Sequence, residues 1–185
     1  MSQRRIAAYC MWLTVVMLSR PLVGEEPSTE APPTELAVLD ALVGSWKLQS
    51  AADVGISARQ ECQWILNRQF LEIDTHVHFQ GQPPSFWRTL ISYDTTDNCY
   101  RQWKFSGDGD VSTATGAWNR KTSALKLTGR TRNGNAEESR IRIINDRTME
   151  VDVREFLDEQ HTRMAAVAIT LDRVPSTKDQ QLTTP

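Results

Sequence analysis

Along most of this chain apolar residues recur at every second position, and in only one stretch do they recur every third or fourth. That exception runs from Glu35 to Val43. There Leu36, Leu39, Leu42 and Val43 share one helical stripe, with Thr34 placed to cap it and Gly44 to end it. The alternating runs that follow predict ten strands, at about 45–51, 57–66, 70–80, 86–93, 99–105, 110–118, 123–130, 137–144, 148–156 and 161–173. Turn residues separate them: Gly81 with Pro83 and Pro84, Asp94 with Asp97 and Asn98, Gly107 with Gly109, and Asn133 with Gly134. These connections are too short for helical crossovers, so adjacent strands should be antiparallel. One sheet with one apolar face must bury that face, and closure also removes its exposed edges. The expected fold is therefore all-β: an antiparallel up-and-down barrel of about ten strands with one short N-terminal helix.

Two hairpins let the register be read as well. In ESRIRIINDRTMEVDVR a loop of Asn145, Asp146 and Arg147 sets Arg142 against Glu150, Arg140 against Asp152 and Glu138 against Arg154. The same register sets Ile143 against Met149 and Ile141 against Val151, whereas a slip of one residue would oppose apolar to charged side chains. In the preceding hairpin a two-residue Asn133-Gly134 turn would set Leu127 against Arg140. A loop of Asn133 to Asn135 instead pairs Leu127 with Ile141, Leu125 with Ile143 and Arg130 with Glu138, and matching of faces favours it.

Charge and composition change the picture mainly at the ends. Arg4 and Arg5 precede the thirteen apolar residues Ile6 to Leu18, after which Ser19, Arg20 and Pro21 break the run. This is the pattern of a signal peptide, too short for the ~20 residues of a membrane-spanning helix, and residues 1–24 are expected to be removed after Gly24. Residues 25–35, EEPSTEAPPTE, then read as a disordered acidic linker, 36–174 as the barrel domain and 175–185 as a disordered tail. The mature chain would carry 18 basic against 23 acidic residues, a net charge of −5 that argues against nucleic acid as a partner. It would have no integral membrane span and would be exported, to the periplasm or the outside. Its two cysteines, Cys62 and Cys99, form no disulfide framework, and buried free thiols are expected.

Gly44-Ser45-Trp46 stands at the entry to the first strand. It is followed by ILNRQFLEIDTHVHFQGQ, a tryptophan-bearing strand ending in ISYD, then NCYRQWKFSGDG and TGAWN. In this order the chain resembles the calycin superfamily of lipocalins and fatty-acid-binding proteins, and within it an exported bacterial lipocalin-like family of uncharacterised function, over about Leu39 to Val174. The resemblance implies a barrel with an apolar interior able to hold a small molecule, and it implies no reaction. Gly44 and Trp46 take structural roles in that picture: the glycine turns the chain and the indole closes one barrel end. The haem-binding nitrobindins share a Gly-x-Trp entry, but their motif continues into another glycine and they use a histidine late in the chain. Here Lys47 follows Trp46 and His161 lies at the opening of the last strand, which makes haem a poor fit.

Candidate sites follow from facing. Pairing Trp87, Ile91 and Tyr93 with Phe105, Arg101 and Cys99, and Thr89 with Trp103, gives an aromatic interior. Its expected ligand-binding wall is Trp64, Trp87, Tyr93, Arg101, Trp103 and Phe105, in which an inward arginine would need an anionic partner. In FLEIDTHVHFQ, His76 and His78 share a face with Glu72 and Asp74. That face is either a solvated outer stripe or, with the histidines turned in, a metal site. FSGDGD lacks the donors of a calcium loop and reads as a turn. Nothing resembles a nucleophile elbow or a phosphate loop before a helix. The expected function is binding of a small apolar or amphipathic molecule, without catalysis and without a cofactor. The alternatives are a metal- or haem-dependent enzyme using His76 and His78, and a filled barrel acting as a protein-interaction module.

Overall fold

A computed structural model describes residues 34–49, 55–158 and 160–175. The expected leader, nearly all of the linker and the tail beyond Pro175 lie outside the described residues. The chain enters through a single α-helical turn, α1 (Thr34–Ala37), which tightens into a 3-10 segment, Val38–Leu42. The sequence pattern predicts one α-helix here, and the tightening has a physical reason. Leu36, Leu39 and Leu42 are spaced three apart, so a helix of three residues per turn stacks all three on one side, where all are buried.

Ten strands follow: β1 (Gly44–Leu48), β2 (Ile56–Ile65), β3 (Phe70–Phe79), β4 (Ser85–Asp94), β5 (Cys99–Ser106), β6 (Val111–Asn119), β7 (Ala124–Arg130), β8 (Ala136–Asn145), β9 (Thr148–Phe156) and β10 (Met164–Val174). Each pairs antiparallel with its sequence neighbour and β1 pairs with β10, closing an up-and-down barrel as predicted. Strand β10 begins at Met164 rather than near 161, because His161 takes a φ of 57° in the turn before it.

The β8–β9 register is the predicted one on both faces, from Glu138↔Arg154 to Ile143↔Met149, with a bulge between Ile143 and Asn145. The β7–β8 register differs by two residues: Leu127 pairs with Ser139, Leu125 with Ile141 and Arg130 with Ala136, around a loop of residues 131–135. A shift of two keeps every side chain on its own face, which is why face matching alone did not resist it. The β4–β5 register differs by one, and there the faces exchange. Trp87, Thr89, Ile91 and Tyr93 pair with Ser106, Lys104, Gln102 and Tyr100. The turn decides it. Asp94 Oδ1 accepts the backbone N–H groups of Thr96 and Asp97, and Asn98 adopts a left-handed φ of 51°, which fixes a loop of residues 95–98.

Partners across an antiparallel pair share a face, so the buried residues identify the interior. Trp46, Cys62, Leu71, Ile91, Tyr100, Leu125, Leu127, Met149 and Leu171 form its core together with the three lid leucines. Cys62 therefore points inward while Cys99, paired with Asp94, lies on the outer face; both are free thiols, and their opposite facings preclude a bridge through the interior. Burial, and then the nearby Glu61 carboxylate, push the Cys62 thiol up to about 12. Its folded value lies above its unfolded one. Its contribution to stability is therefore intact below about pH 9, and is lost as pH rises from there towards 12. In the native protein at pH 8, Cys62 should resist iodoacetamide and become modified only in denaturant, as peptide mass mapping will show.

Candidate functional site

The lid end of the barrel is sealed by a small set of directed contacts. The Trp46 indole N–H donates to the Leu42 carbonyl at 2.7 Å, and the Arg173 guanidinium lies over the indole at 4.3 Å. Arg173 also donates to the carbonyls of Ala41, Val43 and Asp146. Gly44 fits this crowding because it adopts a φ of 130° and a Cβ there would stand 2.5 Å from the guanidinium. Tyr100 donates its hydroxyl to the Glu35 carbonyl at 2.6 Å, and burial pushes that phenol up to about 12. Gly44 and Trp46 both stand at this end of the barrel.

The other end is built differently. Counted from lid to mouth along β10, the inward positions are Leu171, fully buried, then Ile169, half-buried, then Val167, 60% exposed. Inward residues of β4 and β5 become polar along the same direction: Ile91 and Tyr100 give way to Thr89, Gln102, Lys104 and Ser106. Trp87 stands among them, outside the apolar core, and Lys104 Nζ approaches its ring centroid to 5.8 Å. Thr75, paired with Trp87, is 2% exposed. Its Oγ1 and the Oε1 of Gln102 are the two buried side-chain atoms that lack a hydrogen-bond partner among the described residues.

The six expected wall residues are thus dispersed. Trp87 faces the mouth half of the interior. Trp64 and Tyr93 face inward at the lid end, where the Trp64 indole donates to Asp40 at 2.7 Å and Tyr93 meets Tyr100 edge-on at 5.1 Å. Arg101, Trp103 and Phe105 lie on the outer face, a correction that follows from the one-residue change in the β4–β5 register. Arg101 has the anionic partners its charge requires, Asp94 and Asp97, but they stand outside the barrel. The Arg101 guanidinium, with two backbone N–H groups, holds the Asp94 carboxyl below its usual range. Inward Gln102, Lys104 and Ser106 take the places that the sequence reading gave to these three. The available signal was the Asp94 to Asn98 turn.

His76 and His78 are exposed on the outer face beside Glu72 and Asp74. Arg88 clamps Asp74 through two hydrogen bonds of 2.7 Å, and His76 stacks obliquely on Phe86 at 4.9 Å. Among the described residues no three His, Cys, Asp or Glu side chains gather as metal ligands. Two clefts lie elsewhere. One, of about 440 Å³, lies open across β6 and β7 over Thr113, Thr115, Thr128 and Arg130. The other, of about 190 Å³, lies beside the lid between Val38, Tyr93, Tyr100 and Trp118.

The chain matches no known protein family, and no curated protein is significantly similar to it. The closed antiparallel barrel is consistent with a lipocalin-like fold.

Proposed function

We propose that the protein is an exported, non-catalytic member of the calycin superfamily that carries a small amphipathic molecule in the mouth half of its barrel. The observation that carries this reading is the gradient along the inner face, from a sealed apolar end under the lid to an inward valine left 60% exposed near the other. A filled barrel would bury its inward residues at both ends. The mouth offers Trp87 as an apolar surface and hydroxyls and an ammonium beside it, which suits a ligand with a tail and a polar group. Native mass spectrometry of freshly purified protein and quenching of tryptophan fluorescence by a panel of amphiphiles should both report binding. If both fail on a natively folded sample, the carrier reading falls. Export has its own test: N-terminal sequencing of the protein recovered outside the cytoplasm should begin at Glu25.

One observation favours a second reading, the interaction module. On the outside of β4 to β6, Phe86, Phe105 and Val111 are 37, 40 and 54% exposed, and Leu90 pairs with Trp103 on the next outward rung. Exposed apolar residues gathered on one face are a feature of contact surfaces.

A further inference from the structure

We propose that the inner wall made by β4 and β5 is an anion site, and that the molecule carried in the mouth sets a carboxylate, or a single negative group of similar size, against Lys104. This inference rests on the carrier reading and adds the chemistry of the ligand's head.

Lys104 points into the barrel from the rung it shares with Thr89 and Ser112. It is half-buried, its one directed contact is the face of Trp87, and it makes no ion pair among the described residues. The other described inward cation, Arg173, is surrounded by three carbonyls at the lid, and outward Arg88, Arg101, Arg140 and Arg142 each meet carboxylates. A half-buried lysine whose ammonium lies over an indole, with no ion-pair partner among the described residues, is poised to accept an anion.

The surroundings supply further donors. Thr75, in register with Trp87, has a hydroxyl that is buried and unpartnered; Gln102, one inward position along from Lys104, has an unpartnered amide oxygen. Turned end for end, that amide presents its NH₂ at the same place. A carboxylate has lone pairs for about four hydrogen bonds, and an ammonium, a hydroxyl and an amide answer most of them.

The facing wall sets the orientation. Glu137 and Glu155 are paired directly across β8 and β9 on the inner face. Asn135 Nδ2 donates to Glu155 at 2.8 Å and Thr131 Oγ1 at 3.3 Å, and neither glutamate forms an ion pair among the described residues. These two carboxylates repel an anionic head and press it towards Lys104.

The test uses the full chain and three ten-carbon probes, decanoate, decanol and decylammonium, followed by calorimetry and tryptophan quenching, with circular dichroism to establish the fold. The wild type should bind decanoate about tenfold or more tightly than decanol, the usual scale of a charge-assisted hydrogen bond. Lys104→Met should bring decanoate down to the decanol affinity, Lys104→Arg should keep its advantage, and Glu137→Gln should strengthen decanoate binding. Equal affinity for the acid and the alcohol in the wild type would overturn the anion site and leave the carrier reading standing. Decylammonium as the tightest probe would also overturn it, placing the head at the glutamate pair. If none of the three binds the native protein, the carrier reading fails and the anion site goes with it.

Discussion

Trp46→Ala should lower the free energy of unfolding by about 3 to 5 kcal/mol, the range for removing a large buried aromatic ring. The indole is fully buried, and its removal leaves more than a cavity. The Leu42 carbonyl loses its donor at the end of the lid, and Arg173 loses the ring beneath its guanidinium. Urea unfolding followed by circular dichroism measures the loss. Trp46→Phe, which keeps most of the apolar volume but not the N–H, should fall between the variant and the wild type. An alanine variant that folds as stably as the wild type yet binds no ligand would place Trp46 in the site rather than in the seal.

Gly116→Ala should be the most damaging single-methyl change, at the upper end of the 1–3 kcal/mol typical of overpacking or beyond it. A Cβ on Gly116 would lie 1.8 Å from the Lys126 backbone oxygen and 2.8 Å from the Leu127 Cα. Gly129 faces the same difficulty from the other strand, with Thr113 O at 2.3 Å. Between these glycines β6 and β7 approach so closely that relief requires backbone displacement, which breaks the Gly116↔Leu127 pairing. Thermal melting of the two alanine variants beside the wild type tests this. A Gly116→Ala protein with an unchanged melting temperature would mean that β6 and β7 separate there without cost.

The strands and the closed barrel were legible because alternation and turn chemistry agreed along the whole domain. The β8–β9 register was legible for a stronger reason: charges complement one another on one face and apolar residues match on the other, so few alternatives survive. Strand β5 carried no such redundancy. CYRQWKFS places Trp103 and Phe105 on one face and Tyr100 with Gln102, Lys104 and Ser106 on the other, and apolarity alone favours turning the tryptophan in. The barrel does the opposite because its interior is polar near the mouth. A reading that takes the more apolar face as inward must fail where polar residues line the interior. The hydrogen bonds of Asp94 in the turn were the stronger signal, and they are local enough to read from Asp94, Asp97 and Asn98.

The latch at the lid has a consequence for when the fold can form. Arg173 reaches back across 132 positions to the Ala41 carbonyl, and its strand supplies the partner that closes β1. A growing chain that has not yet presented its final strand has neither closure nor latch, whatever hairpins it has already made. Completion of the barrel must therefore wait until β10 has been made, and truncation a few residues before Arg173 removes the step that turns a meander of hairpins into a closed barrel.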